Sequence, residues 1–149
     1  MGPRIGRFMT LGPRTIGAKE MLAAAHQAMR THDIRHLPVL DGSRLVGLIS
    51  QRDLYLIETL KGVDPAEVMV EEAMSDTPFV IDPEASLARV VREMAKHKCG
   101  CAVVADRGEV VGVFTTTDAL RVLDALLTEK SKRSTSSVAA PTARRRART

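Results

Sequence analysis

Two segments decide the reading of this chain: Gly47-Leu48-Ile49-Ser50-Gln51-Arg52-Asp53 and Gly112-Val113-Phe114-Thr115-Thr116-Thr117-Asp118. Each is a glycine, two apolar residues, a hydroxyl residue, two variable residues and an aspartate. They lie 65 residues apart, and the correspondence extends outward at that offset without a gap from Met9–Asp53 to Met74–Asp118. Met9 meets Met74, Ile16 meets Ile81, Leu22 meets Leu87, Met29 meets Met94, and His32 meets His97. Helix, turn and glycine signals align together, as expected of an internal duplication.

Each copy predicts the same order of elements. A short strand at Thr15-Ile16 or Val80-Ile81 precedes a helix with apolar residues at i, i+3 and i+7: Leu22, Ala25 and Met29, or Leu87, Val90 and Met94. In the second copy Asp82-Pro83 reads as the start of that helix, a side-chain acceptor followed by proline. Two apolar strands follow, 37–40 with 45–49 and 101–105 with 110–114, joined by Asp41-Gly42-Ser43 and Asp106-Arg107-Gly108. Apolar runs bounded by Asp and Gly signal hairpins. Their near-continuous hydrophobicity implies that both sheet faces are covered. A second helix begins at Ser50 or Thr115. Residues 66–74 are expected to form a linking helix.

The expected fold is α/β (α+β): two β-α-β-β-α repeats packed as a pseudo-twofold pair. Residues 1–64 form the first repeat with its lead-in, 65–128 a linker and the second repeat, and 129–149 a basic disordered tail. That tail explains the charge. The net charge is +4, but residues 130–149 hold Lys130, Lys132, Arg133, Arg144, Arg145, Arg146 and Arg148 and no acid. Removing those seven from the 22 basic residues leaves 15 against 18 acidic ones in residues 1–129, a net −3. The Arg144-Arg145-Arg146 cluster admits an alternative function, binding nucleic acid or an acidic partner by charge attraction. Aromatics are only 3% with no Trp, which argues against base-stacking surfaces. No apolar run reaches the roughly 18 residues of a membrane span, and no signal peptide is visible, so a cytoplasmic location is expected. Cys99 and Cys101 are too close for a good disulfide, and a reduced compartment is the simple reading.

The repeated Gly…Ser/Thr…Asp segment has two compatible readings. As a helix start, Ser50 or Thr115 is the N-cap and the Asp three residues on completes a capping-box-like pair. As a ligand site, the helix N-terminus offers unpaired N–H groups to phosphate, the hydroxyl adds a donor, and the carboxylate accepts from ribose hydroxyls. The glycine would let a ligand approach the backbone. His97-Lys98-Cys99-Gly100-Cys101 shows no four-ligand metal set. No nucleophile–base arrangement, lysine phosphate loop or dinucleotide fingerprint appears, so an enzyme is not expected.

The pattern Met9-Thr10, Thr15-Ile16, Leu22 to Met29, His36-Leu37-Pro38-Val39, Leu45 to Ser50 and Asp53-Leu54 resembles a CBS domain, as do Met74-Ser75 and Val111 to Asp118. The likeness covers residues 8–125, and two such domains in tandem resemble a Bateman module. The resemblance implies a regulatory module that binds adenosine-containing ligands, with AMP, ADP or ATP first among them, in clefts between the sheets. It also implies a homodimer and an effector protein, with no required cofactor. By position, Asp53 and Asp118 would hold ribose hydroxyls, and Ser50 and Thr115 would contact phosphate. Arg52 would add a charge where the second copy has Thr117. Thr15, Ile16, His36, Leu37 and Pro38 would line the first cleft, and Val80, Ile81, Cys101, Ala102 and Val103 the second. The second copy lacks the hydroxyl of Thr15 and the His36-Leu37-Pro38 sequence, so the first site ranks ahead.

Overall fold

The computed structural model describes residues 2–137. The chain divides into one unit through Thr115 and a second that begins at Thr116. The first holds two sheets. The short strand β1 (Thr10–Leu11) is followed by β2 (Ile16–Gly17), α1 (Leu22–His32), β3 (His36–Asp41), β4 (Arg44–Ser50), α2 (Gln51–Glu58) and α3 (Val70–Ala73). Then come β5 (Val80–Ile81), α4 (Leu87–His97), β6 (Cys101–Asp106) and β7 (Glu109–Thr115). The described part of the second unit is one helix, α5 (Thr116–Ser137).

The duplication is repeated in the hydrogen-bond register. β2 runs parallel to β3 with Ile16 opposite Val39, and β5 runs parallel to β6 with Ile81 opposite Val104. The antiparallel hairpins β3–β4 and β6–β7 each carry an irregularity at the equivalent place, Val39/Leu40 and Val104/Ala105. α1 and α4 both end on a left-handed residue that is not glycine, Asp33 at φ 50° and Lys98 at φ 56°. The next amide returns to the helix in each case, Ile34 N to Met29 O and Cys99 N to Met94 O, both 3.0 Å. That closes otherwise unpaired carbonyls at the helix end.

The repeats are not spatially self-contained. The lead-in of the first copy packs on the second: Ile5 N donates to Ala85 O (2.8 Å), Gly6 N to Pro83 O (2.9 Å), and Leu87 N to Pro3 O (3.0 Å). β1 then pairs antiparallel with β7, giving a sheet of order β1-β7-β6-β5. Conversely the linker before the second copy packs on the first. Leu22 N donates to Val68 O (2.8 Å) and Val70 N to Glu20 O (2.7 Å), while Val70 is fully buried in the core of Ile16, Leu22, Met29, Leu37, Val39, Ile49 and Leu54. Leu48 and Ser75 exchange a pair of 2.9 Å backbone hydrogen bonds. Each lead-in thus crosses to the other repeat, in a reciprocal exchange.

Several local expectations need correction. Asp82-Pro83 does not start α4: Asp82 accepts from Glu84 N within a turn, and Ser86 is the cap, accepting from Arg89 N. The linking helix is only Val70–Ala73, because Asp64 first closes a turn by accepting from Ala66 N. The basic tail does not begin at 129 as irregular chain, since α5 continues to Ser137. Arg144, Arg145 and Arg146 lie outside the described residues.

Candidate functional site

The N-terminus of α2 is built as the sequence predicts. Ser50 ends β4 in extended conformation and accepts from Asp53 N (3.1 Å), while Asp53 accepts from Ser50 N (2.8 Å). The capping box therefore holds the Asp53 carboxylate in place and half-buried beside the strand end. His36 opens β3 directly opposite Ser50 in the register. Burial pushes the His36 imidazole below its usual pKa; the Asp53 carboxylate opposes this and the Arg35 guanidinium adds to it. The interaction with Asp53 joins strand and helix start: His36, Ser50 and Asp53 form one cluster.

A cavity of about 290 Å³ lies beside this cluster, lined by Thr10, Gly12, Pro13, Arg14, His32, Ile34, His36 and Val113. It draws on the β1–β2 crossover, the end of α1, β3 and β7, so both repeats contribute. Of the predicted site residues only His36 lines it. Arg14, His32 and Ile34 were missed; the signal was available in Arg14 beside Thr15 and in the pair flanking the helix end at Asp33. Thr15 and Arg52 are exposed, whereas Ile16, Leu37 and Pro38 are buried, the first two in the core of the first repeat. A second cavity, about 480 Å³, is shaped by α1 and α2 around Met29, Gln51 and Tyr55, with His26 paired to Glu58.

In the second repeat, Val80 is half-exposed and Ile81, Cys101, Ala102 and Val103 are buried. Cys101 stands opposite Thr115 in the β6–β7 register, as His36 stands opposite Ser50. Thr117 and Asp118 sit in the first turn of α5, where Asp118 accepts from Arg121 (3.1 Å).

The repeated glycines serve a different purpose from the one expected of them. A Cβ on Gly47 would lie 2.4 Å from Met74 Sδ and 2.6 Å from Ser75 O. On Gly112 it would lie 2.6 Å from Met9 Sδ and 2.8 Å from Thr10 O. What approaches these glycines is the crossing lead-in of the other repeat, and each Met-Ser/Thr pair packs against its Gly.

Among the described residues no three His, Cys, Asp or Glu side chains converge on a common point. No described helix is long and apolar enough to cross a membrane.

Comparison with known proteins agrees with this architecture. The chain is 33% identical over 117 residues to hypoxic response protein 1 of Mycobacterium tuberculosis, spanning 78% of this chain and 82% of that protein. A crystal structure of Hypoxic Response Protein I with two coordinated zinc ions is similar with a TM-score of 0.71 at 31% identity, covering 80% of this chain and 98% of that one. Two more distant structures show the same fold. The CBS domain pair of protein MJ0100, in complex with 5-methylthioadenosine and S-adenosyl-L-methionine, has a TM-score of 0.76 at 22% identity, covering 84% and 98%. CBSX2 in complex with AMP has a TM-score of 0.73 at 21% identity, covering 84% and 98%. The CBS domain model matches twice, at residues 5–57 and 70–125, which are the two repeats with their lead-ins, and the chain belongs to the CBS domain family.

Proposed function

We propose that this protein is a cytoplasmic regulatory sensor, not an enzyme, which binds an adenosine-containing ligand, AMP, ADP or ATP first among them, and modulates a partner protein. The observation that carries this reading is the cluster of His36, Ser50 and Asp53 beside a cavity that both repeats line. Asp53 offers carboxylate oxygen to ribose hydroxyls, and the start of α2 offers N–H groups to phosphate. The adenosine ligands of the MJ0100 and CBSX2 complexes support the ligand class. Thr15, Ser50 and Arg52 belong to the same proposed site, and Thr115, Thr117 and Asp118 to its weaker counterpart. An occupant held by both repeats favours one packing of them, and that population shift is the signal.

A homodimer is the proposed assembly. α5 exposes Leu120, Leu123 and Leu127 at helical spacing, and α2 exposes Tyr55 and Leu56. Apolar surface of that kind fits a second copy.

A thermal-shift panel of adenine nucleotides, NAD and S-adenosylmethionine tests the reading. A ligand at about 100 times its Kd stabilises by roughly 2.7 kcal/mol. The reading fails if nothing moves the melting temperature, or if Asp53→Ala with Asp118→Ala leaves the ligand-induced shift intact.

A further inference from the structure

The cavity beside β3 is unusual in its charge. Arg14, His32 and His36 all line it, and among its described lining residues there is no carboxylate. Asp53 acts on His36 from the start of α2, and Arg35 from the residue before it, so the immediate surroundings are not uniformly basic. The second repeat lacks the same set. At the 65-residue offset, Arg14 becomes Phe79 and His36 becomes Cys101. His32 becomes His97, which is held by Glu93 one turn back at 3.2 Å; the position equivalent to Glu93 is Ala28. Of these three positions only Arg14 brings a guanidinium that the second copy lacks, while the residue after His32, Asp33, is Lys98 in the second copy.

Resting on the proposed reading of this cleft as an adenosine-ligand site, we propose that Arg14, by its charge, and His32, as a hydrogen-bonding partner, select the ligand. They make the first cleft take a phosphate-bearing adenosine ligand in preference to the uncharged nucleoside or to a sulfonium analogue. The physical cause is direct. A phosphate brought beside a guanidinium and imidazoles gains charge-assisted hydrogen bonds that a nucleoside cannot form. A sulfonium cation meets repulsion from the guanidinium. Arg14 and His32 are both exposed and lie outside the core and the capping box, so their replacement is expected to leave the fold in place.

Isothermal titration of the full-length protein with adenosine, AMP and S-adenosylmethionine tests this, using the wild type, Arg14→Ala and Arg14→Ala/His32→Ala. AMP should bind the wild type at least about tenfold more tightly than adenosine, a difference of about 1.4 kcal/mol. The double variant should lose most of that ratio while still binding adenosine. The preference should also weaken as salt rises from about 0.05 to 0.5 M, because exposed charges are screened. Equal affinities for adenosine and AMP, a tighter S-adenosylmethionine complex, or an AMP preference intact in the double variant would each overturn the charge selection alone. If none of the three compounds binds, the reading of the cleft falls and the selection falls with it. Unliganded melting curves of both variants should match the wild type, confirming that any lost affinity is not lost folding.

Discussion

Replacing Gly47 with alanine should destabilise the unliganded protein, and the sign of the effect is the informative part. Gly47 is not one of the glycines with positive φ, so its backbone conformation does not require glycine. An alanine there would ordinarily stabilise by about 0.4–1 kcal/mol through the unfolded chain. The crossing lead-in reverses that expectation. The new Cβ would stand 2.4 Å from Met74 Sδ and 2.6 Å from Ser75 O. The thioether can swing aside, but the carbonyl belongs to the backbone and accepts from Leu48 N at 2.9 Å. To make room the segment must withdraw, weakening both Leu48–Ser75 hydrogen bonds. Overpacking costs about 1–3 kcal/mol, and each weakened bond loses part of about 0.5–1.5 kcal/mol. A net loss of about 3 kcal/mol lowers the melting temperature by roughly 6–12 °C in a chain of this size. Differential scanning calorimetry of the ligand-free protein reads it directly. Adding Met74→Ala should recover only part of the loss, since the carbonyl remains. A melting temperature unchanged or raised in Gly47→Ala, with ligand affinity reduced, would refute the packing argument and restore the glycine to the ligand.

Ile5→Ala should cost about 2–5 kcal/mol, although the residue is four places from the start of the chain, because Ile5 is fully buried and its amide bonds to Ala85; chemical denaturation within about 1 kcal/mol of wild type would contradict the exchange of lead-ins. His36 carries a pH dependence of definite sign. Its imidazole pKa is lowered by folding from the ordinary 6.5, so the unfolded chain binds the proton more readily. The stability it contributes is complete above pH 6.5 and is lost as pH falls through the depressed folded value. Melting temperature between pH 7.5 and 5 should therefore fall more steeply in wild type than in His36→Gln; parallel profiles would exclude the residue as the cause. Leu123→Lys with Leu127→Lys, on the exposed face of α5, should convert a dimer to a monomer in sedimentation velocity without changing the circular dichroism. A monomeric wild type would remove the dimer proposal.

The order of elements was legible because each rests on a local signal: the 3.6-residue apolar period of α1 and α4, the Asp-Gly hairpins, and Ser50 with Asp53 at the start of α2. The exchange of lead-ins was not. Sliding the chain against itself aligns Met9 with Met74 whichever sheet either joins, since equivalence between copies carries no information about partners. The glycines were misread for the same reason. Absence of a side chain announces a close approach but not what approaches, and at Gly47 and Gly112 it is a methionine and a backbone carbonyl. Asp82 competed with Ser86 for the cap of α4, and the turn through Ala85 left Asp82 outside the helix. At the start of α2 the repeated motif pointed to Ser50 and Asp53, which do come together in the capping box, and the family resemblance added His36, which alone of the three lines the cavity. Arg14 and His32 escaped because they fall outside the repeated Gly…Ser/Thr…Asp segment, and the match of His32 with His97 marks the duplication without marking a cavity wall.

The exchange gives the first cleft a built-in route to the second repeat. Its wall includes Thr10, Gly12, Pro13 and Arg14, one continuous stretch of chain. The near end of that stretch is fastened to β7: Thr10 stands opposite Val113, and Gly12 N donates to Val111 O at 3.2 Å. The far end enters β2, which pairs with β3 and so with His36. A phosphate drawn to Arg14, as proposed above, would pull on a segment hydrogen-bonded to both sheets. Any change in the packing of β1 on β7 must change the shape of the cavity, and by linkage an occupant biases that packing by the same free energy. Because Arg14 is Phe79 in the second repeat, the proposed charge selection would act on this coupling from one side only.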